Sequence, residues 1–251
     1  MKQLTGKIAV VTGASRGIGK AIAIALAQEG ANMVIAARDA KALEALSQKI
    51  SALGVQVAAV PTDVTQESQI VNLFTKAMER FGRVDILVNN AGVFGGSPIE
   101  TMTTAAWDNV IATDLRAPFI CTREAFKIMK KQGGGRIINV SSISAFRVRP
   151  NNAPYSAAKS GLIGLTETTA LEGRSLGINC SCIYPGEVDH EPNPNAPMPT
   201  PPPNMANMPK MPSMKTEECA AAVVFMASQP PHVNVLSLMI LPREQPYLAR
   251  G

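Results

Sequence analysis

Short β-branched and aliphatic runs recur along the chain, separated by longer stretches whose apolar positions return every three or four residues. The runs Lys7–Val11, Asn32–Ala36, Val55–Val60, Val84–Val88, Arg136–Val140, Ile178–Ile183 and Val235–Ile240 read as strands. Gly17–Gln28, Ala40–Ala52 and Pro154–Leu176 carry helical spacing instead. Strand followed by helix, repeated, implies βαβ units with right-handed crossovers, hence an α/β fold with a parallel sheet buried on both faces. The ligand crevice of such a sheet lies at the carboxyl ends of its strands.

One stretch breaks the rhythm. Between Glu191 and Pro212 stand nine prolines, with Asn193, Asn195, Asn204 and Asn207, a composition that forms neither helix interior nor central strand. It is expected to be a long Pro/Met-rich lid or loop, at about 187–215, within a single domain spanning 1–251. Met205, Met208, Met211 and Met214 recur every third residue, the period of a polyproline II edge. An apolar lid is the reading of that edge; thioether binding of a soft metal is set aside for want of an accompanying His or Cys. Beyond it, Thr216-Glu217-Glu218 opens another helix with Thr216 as the capping residue and two acids in the first turn.

A length of 251 residues, 46% hydrophobic and 17% charged, suits one sizeable core. Twenty-four Lys and Arg against 19 Asp and Glu leave +5 without a dense basic run, which argues against dedicated nucleic-acid binding and leaves small anions as ligands. No apolar run approaches the roughly 18–20 residues of a membrane span, and the first strand pattern begins at Lys7, so a cytoplasmic location is expected. The four cysteines, Cys121, Cys180, Cys182 and Cys219, are too few for a disulfide scaffold and read as reduced packing residues, with no metal site.

Directly after the first strand comes Thr12-Gly13-Ala14-Ser15-Arg16-Gly17-Ile18-Gly19, then a helix. Glycines allow close backbone approach, and a helix N-terminus offers free N–H groups and a positive dipole end to a pyrophosphate. The second strand ends Ala36-Ala37-Arg38-Asp39. Where an NAD-preferring site places an acid for the ribose hydroxyls, Ala36 and Ala37 supply none; Arg38 with Arg16 would flank a 2′-phosphate. Asp39 either competes for the ribose or caps the next helix, and Arg38 is otherwise a solvated surface arginine. NADP(H) is the expected cofactor, with NAD(H) the lesser alternative.

Tyr155-Ser156-Ala157-Ala158-Lys159 places Tyr155 and Lys159 on one helical face, where the ammonium is expected to lower the phenol's pKa. Upstream, Ser141-Ser142 follows a strand at the crevice end, where a hydroxyl can bond a substrate oxygen. With these motifs in order the chain resembles the short-chain dehydrogenase/reductase family from about Lys7 onward. Its glycine turn, Asp63-Val64, Asn89-Asn90-Ala91-Gly92, Ser142, Tyr155, Lys159 and Pro185-Gly186 fall on the family's segments. The resemblance implies a doubly wound, Rossmann-like sheet of seven strands, a homotetramer or homodimer, and hydride exchange between a nicotinamide and a small carbonyl or alcohol substrate. It assigns cofactor contacts to Gly13, Ser15, Arg16, Gly17, Ile18, Gly19, Arg38, Asp63, Val64, Asn90, Ala91, Gly92, Tyr155, Lys159, Pro185, Gly186 and Val188. Ser142 would hold the substrate oxygen, Tyr155 would pass the proton, and Lys159 would bind the ribose and support the tyrosine.

Two positions depart from that pattern. Asp114 stands where the family has a catalytic asparagine, exchanging amide donors for a negative charge toward Lys159, and His190 stands where a threonine is usual. The chain also lacks the glycine-rich tail of many relatives after its last strand. The expected activity is that of a carbonyl reductase or alcohol dehydrogenase on an apolar ketone or 3-oxoacyl-type compound, with Phe94, Trp107 and Phe146 as candidate walls and Arg147 and Arg149 as candidate anion contacts. The alternative is a catalytically weak dinucleotide-binding protein whose Pro/Met-rich segment engages a partner.

Overall fold

The aliphatic runs form strands in the computed structural model, which describes residues 2–189 and 211–247. In chain order these are β1 (Ile8–Thr12), α1 (Gly17–Gln28), β2 (Asn32–Ala37), α2 (Ala40–Ser51), β3 (Val57–Pro61), α3 (Glu67–Phe81), β4 (Ile86–Asn89) and α4 (Thr104–Ile111). They continue with α5 (Ala117–Gln132), β5 (Gly135–Val140), α6 (Ala153–Gly173), β6 (Ile178–Pro185), β7 (Val188–Asp189), β8 (Met214–Lys215), α7 (Thr216–Ala227) and β9 (Ser237–Ile240). Seven strands pair in parallel in the order β3-β2-β1-β4-β5-β6-β9, and β7 pairs with β8 in a separate two-stranded ribbon.

Period-two alternation assigns each strand's side chains to two layers. Ala9 and Val11 pack with Ile22 and Leu26 of α1, Leu43 of α2 and Val223 of α7. Ile8 and Val10 pack with Leu73 and Phe74 of α3 and Ile120 and Met129 of α5. Both faces of β1 are covered, which is why its run reads as continuously apolar. Removing a Leu, Ile or Phe of this kind from water contributes about 1.5–3 kcal/mol each, so the two layers rather than helix propensity hold the sheet.

β1 pairs with β2 on one side and β4 on the other. The chain therefore winds outward in both directions from β1, and the crevice at the carboxyl ends of β1 and β4 is the topological switch point where such sheets take ligands.

Observed boundaries differ slightly from the predicted ones. Residues 55–56 and 84–85 precede their strands, α6 closes in a 3₁₀ turn over Arg174–Leu176, and the β7–β8 ribbon was not expected. The cap of α7 is Lys215, whose N–H donates to the Glu218 carboxylate at 2.7 Å, while Thr216 is already helical and hydrogen-bonds Glu217. Most of the expected lid, with Met205, Met208 and His190, lies outside the described residues. All four cysteines are free and buried.

Candidate active site

The turn after β1 is shaped by what its glycines lack. Gly13 and Gly17 have φ of +66° and +54°, a region that disfavours side chains. A Cβ on Gly13 would stand 2.7 Å from the Ala91 Cα, and one on Gly19 would run into the Gly13 carbonyl and the Asn90 amide. No acid occupies the first turn of α1. This cradle fits a pyrophosphate, with Ser15, Arg16 and Ile18 on its rim.

Two loops are laced across the switch point. Asn90 Nδ2 donates to the carbonyls of Thr12 and Gly13 at 2.9 and 3.2 Å. Thr12 Oγ1 accepts from the N–H of Asn90 and of Ala91, each at 3.1 Å. The Ala14 N–H donates to the Ala36 carbonyl at 3.0 Å, which ties the glycine turn to the end of β2. Arg16 and Arg38 each follow one of these tied residues by two positions, and both are exposed. Asp39 caps α2, accepting from the Ala42 N–H at 2.9 Å. After β3, Asp63 Oδ1 accepts from the Thr65 N–H and hydroxyl, and Val64 is buried beside it.

On α6, Tyr155 and Lys159 share a face. Lys159 is buried; its Nζ donates to the Val140 carbonyl at 3.1 Å, lies 5.4 Å from the centre of the Tyr155 ring, and stands 3.1 Å from Asp114 Oδ2. The Ser141 hydroxyl donates to the Lys159 carbonyl at 2.9 Å, fastening α6 to the end of β5. Ser142 accepts from the Ser144 N–H at 3.1 Å, and its hydroxyl acts to lower the pKa of the Tyr155 phenol. The Phe94 ring packs on Tyr155 with centroids 5.1 Å apart.

Asp114 reaches this cluster because α4 passes into α5 through one π-helical turn, Ala112–Arg116. A π turn widens the helix by one residue per turn, an arrangement common at functional sites. Fully buried, Asp114 accepts from the Val93 N–H through Oδ1 at 2.8 Å and turns Oδ2 to Lys159. Gly92 leaves the room: a Cβ there would stand 3.0 Å from Oδ2.

The electrostatics correct one expectation. Burial raises the Asp114 carboxyl above its ordinary pKa although Lys159 opposes the shift. Burial, the largest single effect, pulls Lys159 down, but the Asp114 carboxylate and the Tyr155 phenol together carry the net shift upward, which strengthens the ammonium. Tyr155 is raised, not lowered: burial dominates, Asp114 adds to it, and the pull of Lys159 and the Ser142 hydroxyl only partly offset them.

The far wall is built by the C-terminal segment. The Gly186 N–H donates to the Ile240 carbonyl at 2.8 Å, and the Glu187 N–H to Gln245 Oε1 at 2.9 Å. Gln245 and Val188 are buried there, and Pro185 ends β6. Arg149 pairs with Glu187 at 3.3 Å, and Arg147 lies 5.3 Å from the Tyr247 ring. Phe146 packs edge-on against Tyr184.

The family model for short chain dehydrogenase matches residues 7–197. The chain belongs to the short-chain dehydrogenase family. Among relatives of this family, the 3-oxoacyl-[acyl-carrier-protein] reductase of Synechocystis is 38% identical over 233 residues, 92% of each chain. An uncharacterized oxidoreductase of Bacillus subtilis is 42% identical over 183 residues, 73% of this chain and 71% of its own. A metagenomic short-chain oxidoreductase solved in complex with NADP superposes with a TM-score of 0.82 at 33% identity, covering 96% of this chain and 98% of its own.

The site of this short-chain dehydrogenase thus gathers Ser142, Tyr155, Lys159 and Asp114, with Asn90, Ala91, Gly92 and Gly186 around them. Residues that sequence reasoning missed are Thr12 and Gln245. Thr12, at the strand end directly before the glycines, was within reach of pattern reading; Gln245 carried no local signal.

Proposed function

We propose that the chain is an NADP(H)-dependent enzyme exchanging a hydride with a small carbonyl or alcohol substrate, an apolar ketone or a 3-oxoacyl compound. The observation that carries this reading is the buried Lys159 ammonium, held between Asp114 and the Val140 carbonyl beneath the Tyr155 ring, with Ser142 on the phenol. Gly13, Ser15, Arg16, Gly17, Ile18 and Gly19 would hold the pyrophosphate, Arg16 and Arg38 the 2′-phosphate, and Asp63 and Val64 the adenine. Asn90, Ala91, Gly92, Pro185, Gly186 and Val188 would line the nicotinamide half, with Tyr155 and Lys159 at its ribose. When bound, the cofactor supplies the hydride.

The residues of the chain do the rest. The Ser142 hydroxyl donates a hydrogen bond to the substrate oxygen and orients it toward Tyr155. In reduction Tyr155 gives its Oη proton to that oxygen, converting carbonyl to alcohol, and Lys159 stabilises the phenolate left behind. Asp114 holds the ammonium in place at the cost of part of its positive potential.

Homo-oligomerisation in the cytoplasm belongs to the same reading. It is supported by the edge strand β9, which leaves Met239 exposed, and by the exposed Leu171 of α6 and Phe225 of α7 on the two faces of the sheet. A second reading, a catalytically weak dinucleotide-binding protein, is favoured by the charge of Asp114 and the raised Tyr155. Loss of reduced-nicotinamide absorbance on mixing with NADPH and a panel of ketones and 3-oxoacyl thioesters tests both. Turnover abolished by Tyr155→Phe, with NADPH binding within a few fold, is the expected result; NADPH binding without turnover on any carbonyl selects the second reading.

A further inference from the structure

Where β6 leaves the sheet, its continuation Gly186-Glu187 is held from one side by the segment that follows β9. Pro185 is in register with Ile240, and the Gly186 N–H still donates to the Ile240 carbonyl at 2.8 Å. The strand ladder ends there. The Glu187 N–H donates to a side chain, Gln245 Oε1, 58 positions away at 2.9 Å, while the Glu187 carbonyl accepts from the Met214 N–H at 2.9 Å.

Gln245 is built into this turn. It is 7% exposed, and its own N–H closes a turn on the Pro242 carbonyl at 3.0 Å. A Cβ on Gly186 would collide with Gln245 Oε1 and stand 2.9 Å from Leu241 Cδ2. Gly186 has no positive φ, so close contact with Gln245, rather than backbone conformation, calls for glycine at this position. Two residues on, the Arg147 guanidinium lies 5.3 Å from the Tyr247 ring, and Arg149 pairs with Glu187 at 3.3 Å. The C-terminal segment thus braces both the turn after β6 and the loop that follows Ser142. Of these contacts the Gln245 hydrogen bond is the one accepted by a buried side chain, and water competes with it least.

We propose that Gln245 is the positioning residue for the nicotinamide half of the cofactor site. The proposal rests on the dinucleotide reading, in which Pro185, Gly186 and Val188 line that half. The Gly186–Glu187 peptide is trans and planar, so anchoring its N–H on Gln245 also fixes the Gly186 carbonyl, which points the opposite way, away from the C-terminal segment. Without an acceptor at position 245 that peptide is free to rotate, since glycine accepts either orientation.

The test is calorimetric titration of the full chain with NADPH and with adenosine 2′,5′-bisphosphate, which keeps the adenine and the 2′-phosphate but has no nicotinamide. Gln245→Met keeps the side chain's length and removes its acceptor. It should weaken NADPH about fivefold, the range of one hydrogen bond, and leave the bisphosphate within about twofold. Gln245→Glu supplies an acceptor oxygen again and should bring NADPH back to within about twofold of wild type. The emission of bound NADPH, which reports the surroundings of the reduced ring, should move toward that of free cofactor in Gln245→Met and return in Gln245→Glu. Unchanged NADPH affinity in Gln245→Met overturns the proposal, and so does an equal loss for both ligands, the mark of a merely structural residue. A Gln245→Glu variant as weak as Gln245→Met overturns the hydrogen bond as the cause. Wild type that binds neither ligand overturns the dinucleotide reading and this proposal with it, whereas wild type that binds both, with variants that do not separate them, overturns this proposal alone.

Discussion

Replacing Asp114 by asparagine removes one buried charge while keeping an oxygen for the Val93 N–H, so the π turn and the loop it holds should persist. Lys159 Nζ lies 3.1 Å from Asp114 Oδ2 and 5.4 Å from the Tyr155 ring centre. The carboxylate is therefore no more than about 8.5 Å from the ring, and at an effective dielectric of about 20 a unit charge there interacts with a phenolate by roughly 2 kcal/mol. That repulsion holds the phenol up, alongside the larger effect of burial. Transferred wholly to the barrier it would correspond to about thirtyfold in rate; with half expressed in the proton-transfer transition state, Asp114→Asn should raise reductive turnover about fivefold. The sign of the pH effect follows. In reduction the protonated phenol is the active form, so activity falls as pH rises through the tyrosine's pKa, and lowering that pKa moves the alkaline limb to lower pH. NADPH affinity should change little. The assay is a pH profile of kcat for wild type and variant on a substrate whose chemistry limits the rate. A lower kcat with the limb fixed or moved upward would refute the reasoning and make Asp114 a working member of the proton path. Burial alone pulls Lys159 down, so a variant that lost both turnover and the Lys159 charge would show that the carboxylate's main task is to keep the ammonium charged.

Removing both Arg16 and Arg38 by alanine substitution should weaken NADPH about thirtyfold or more and NADH far less, measured by fluorescence titration; equal losses would take the 2′-phosphate away from these residues. Burial pushes the thiols of Cys121, Cys180 and Cys219 up to about 12, and Cys182 is buried as well. A disulfide reagent at neutral pH should therefore find no rapidly reacting thiol in the native protein and all four after guanidinium unfolding. Asp85, 7% exposed, accepts from the Ile8 N–H at 2.9 Å and from Arg83 at 2.6 and 3.0 Å. Asp85→Ala should lower stability by about 2–3 kcal/mol in urea with an unchanged m-value, because it strands a buried N–H at the start of β1; an unchanged midpoint would refute this.

The sheet was legible because its signals are local. Ile8-Ala9-Val10-Val11 is apolar on successive residues, since the strand is covered on both faces, and Gly17–Gln28 turns its apolar residues inward at helical spacing. The same holds for the glycine turn, whose required absence of Cβ is written in the residue type. The β7–β8 ribbon was not legible: Val188 and Met214 are 26 positions apart and pair over only two residues each, too short for periodicity to register. The cap of α7 failed for a related reason, since Glu218 satisfies the N–H of Lys215 from within the helix and leaves the hydroxyl of Thr216 no capping role.

The chemistry of the site divides along the same line. That Tyr155 and Lys159 share a face follows from a spacing of four, and the sequence therefore pointed to an ammonium near the phenol. The direction of the phenol's pKa does not follow from that spacing, because it is set chiefly by depth, which outweighs the ammonium, with a smaller addition from the Asp114 charge. Asp114 could be singled out as unusual, yet its reach to Lys159 depends on the π turn, a backbone feature with no residue signature in Ala112–Arg116. The burial and charge that set the phenol's pKa are thus long-range in origin, whereas Ser142, Tyr155 and Lys159 are carried on short, contiguous motifs.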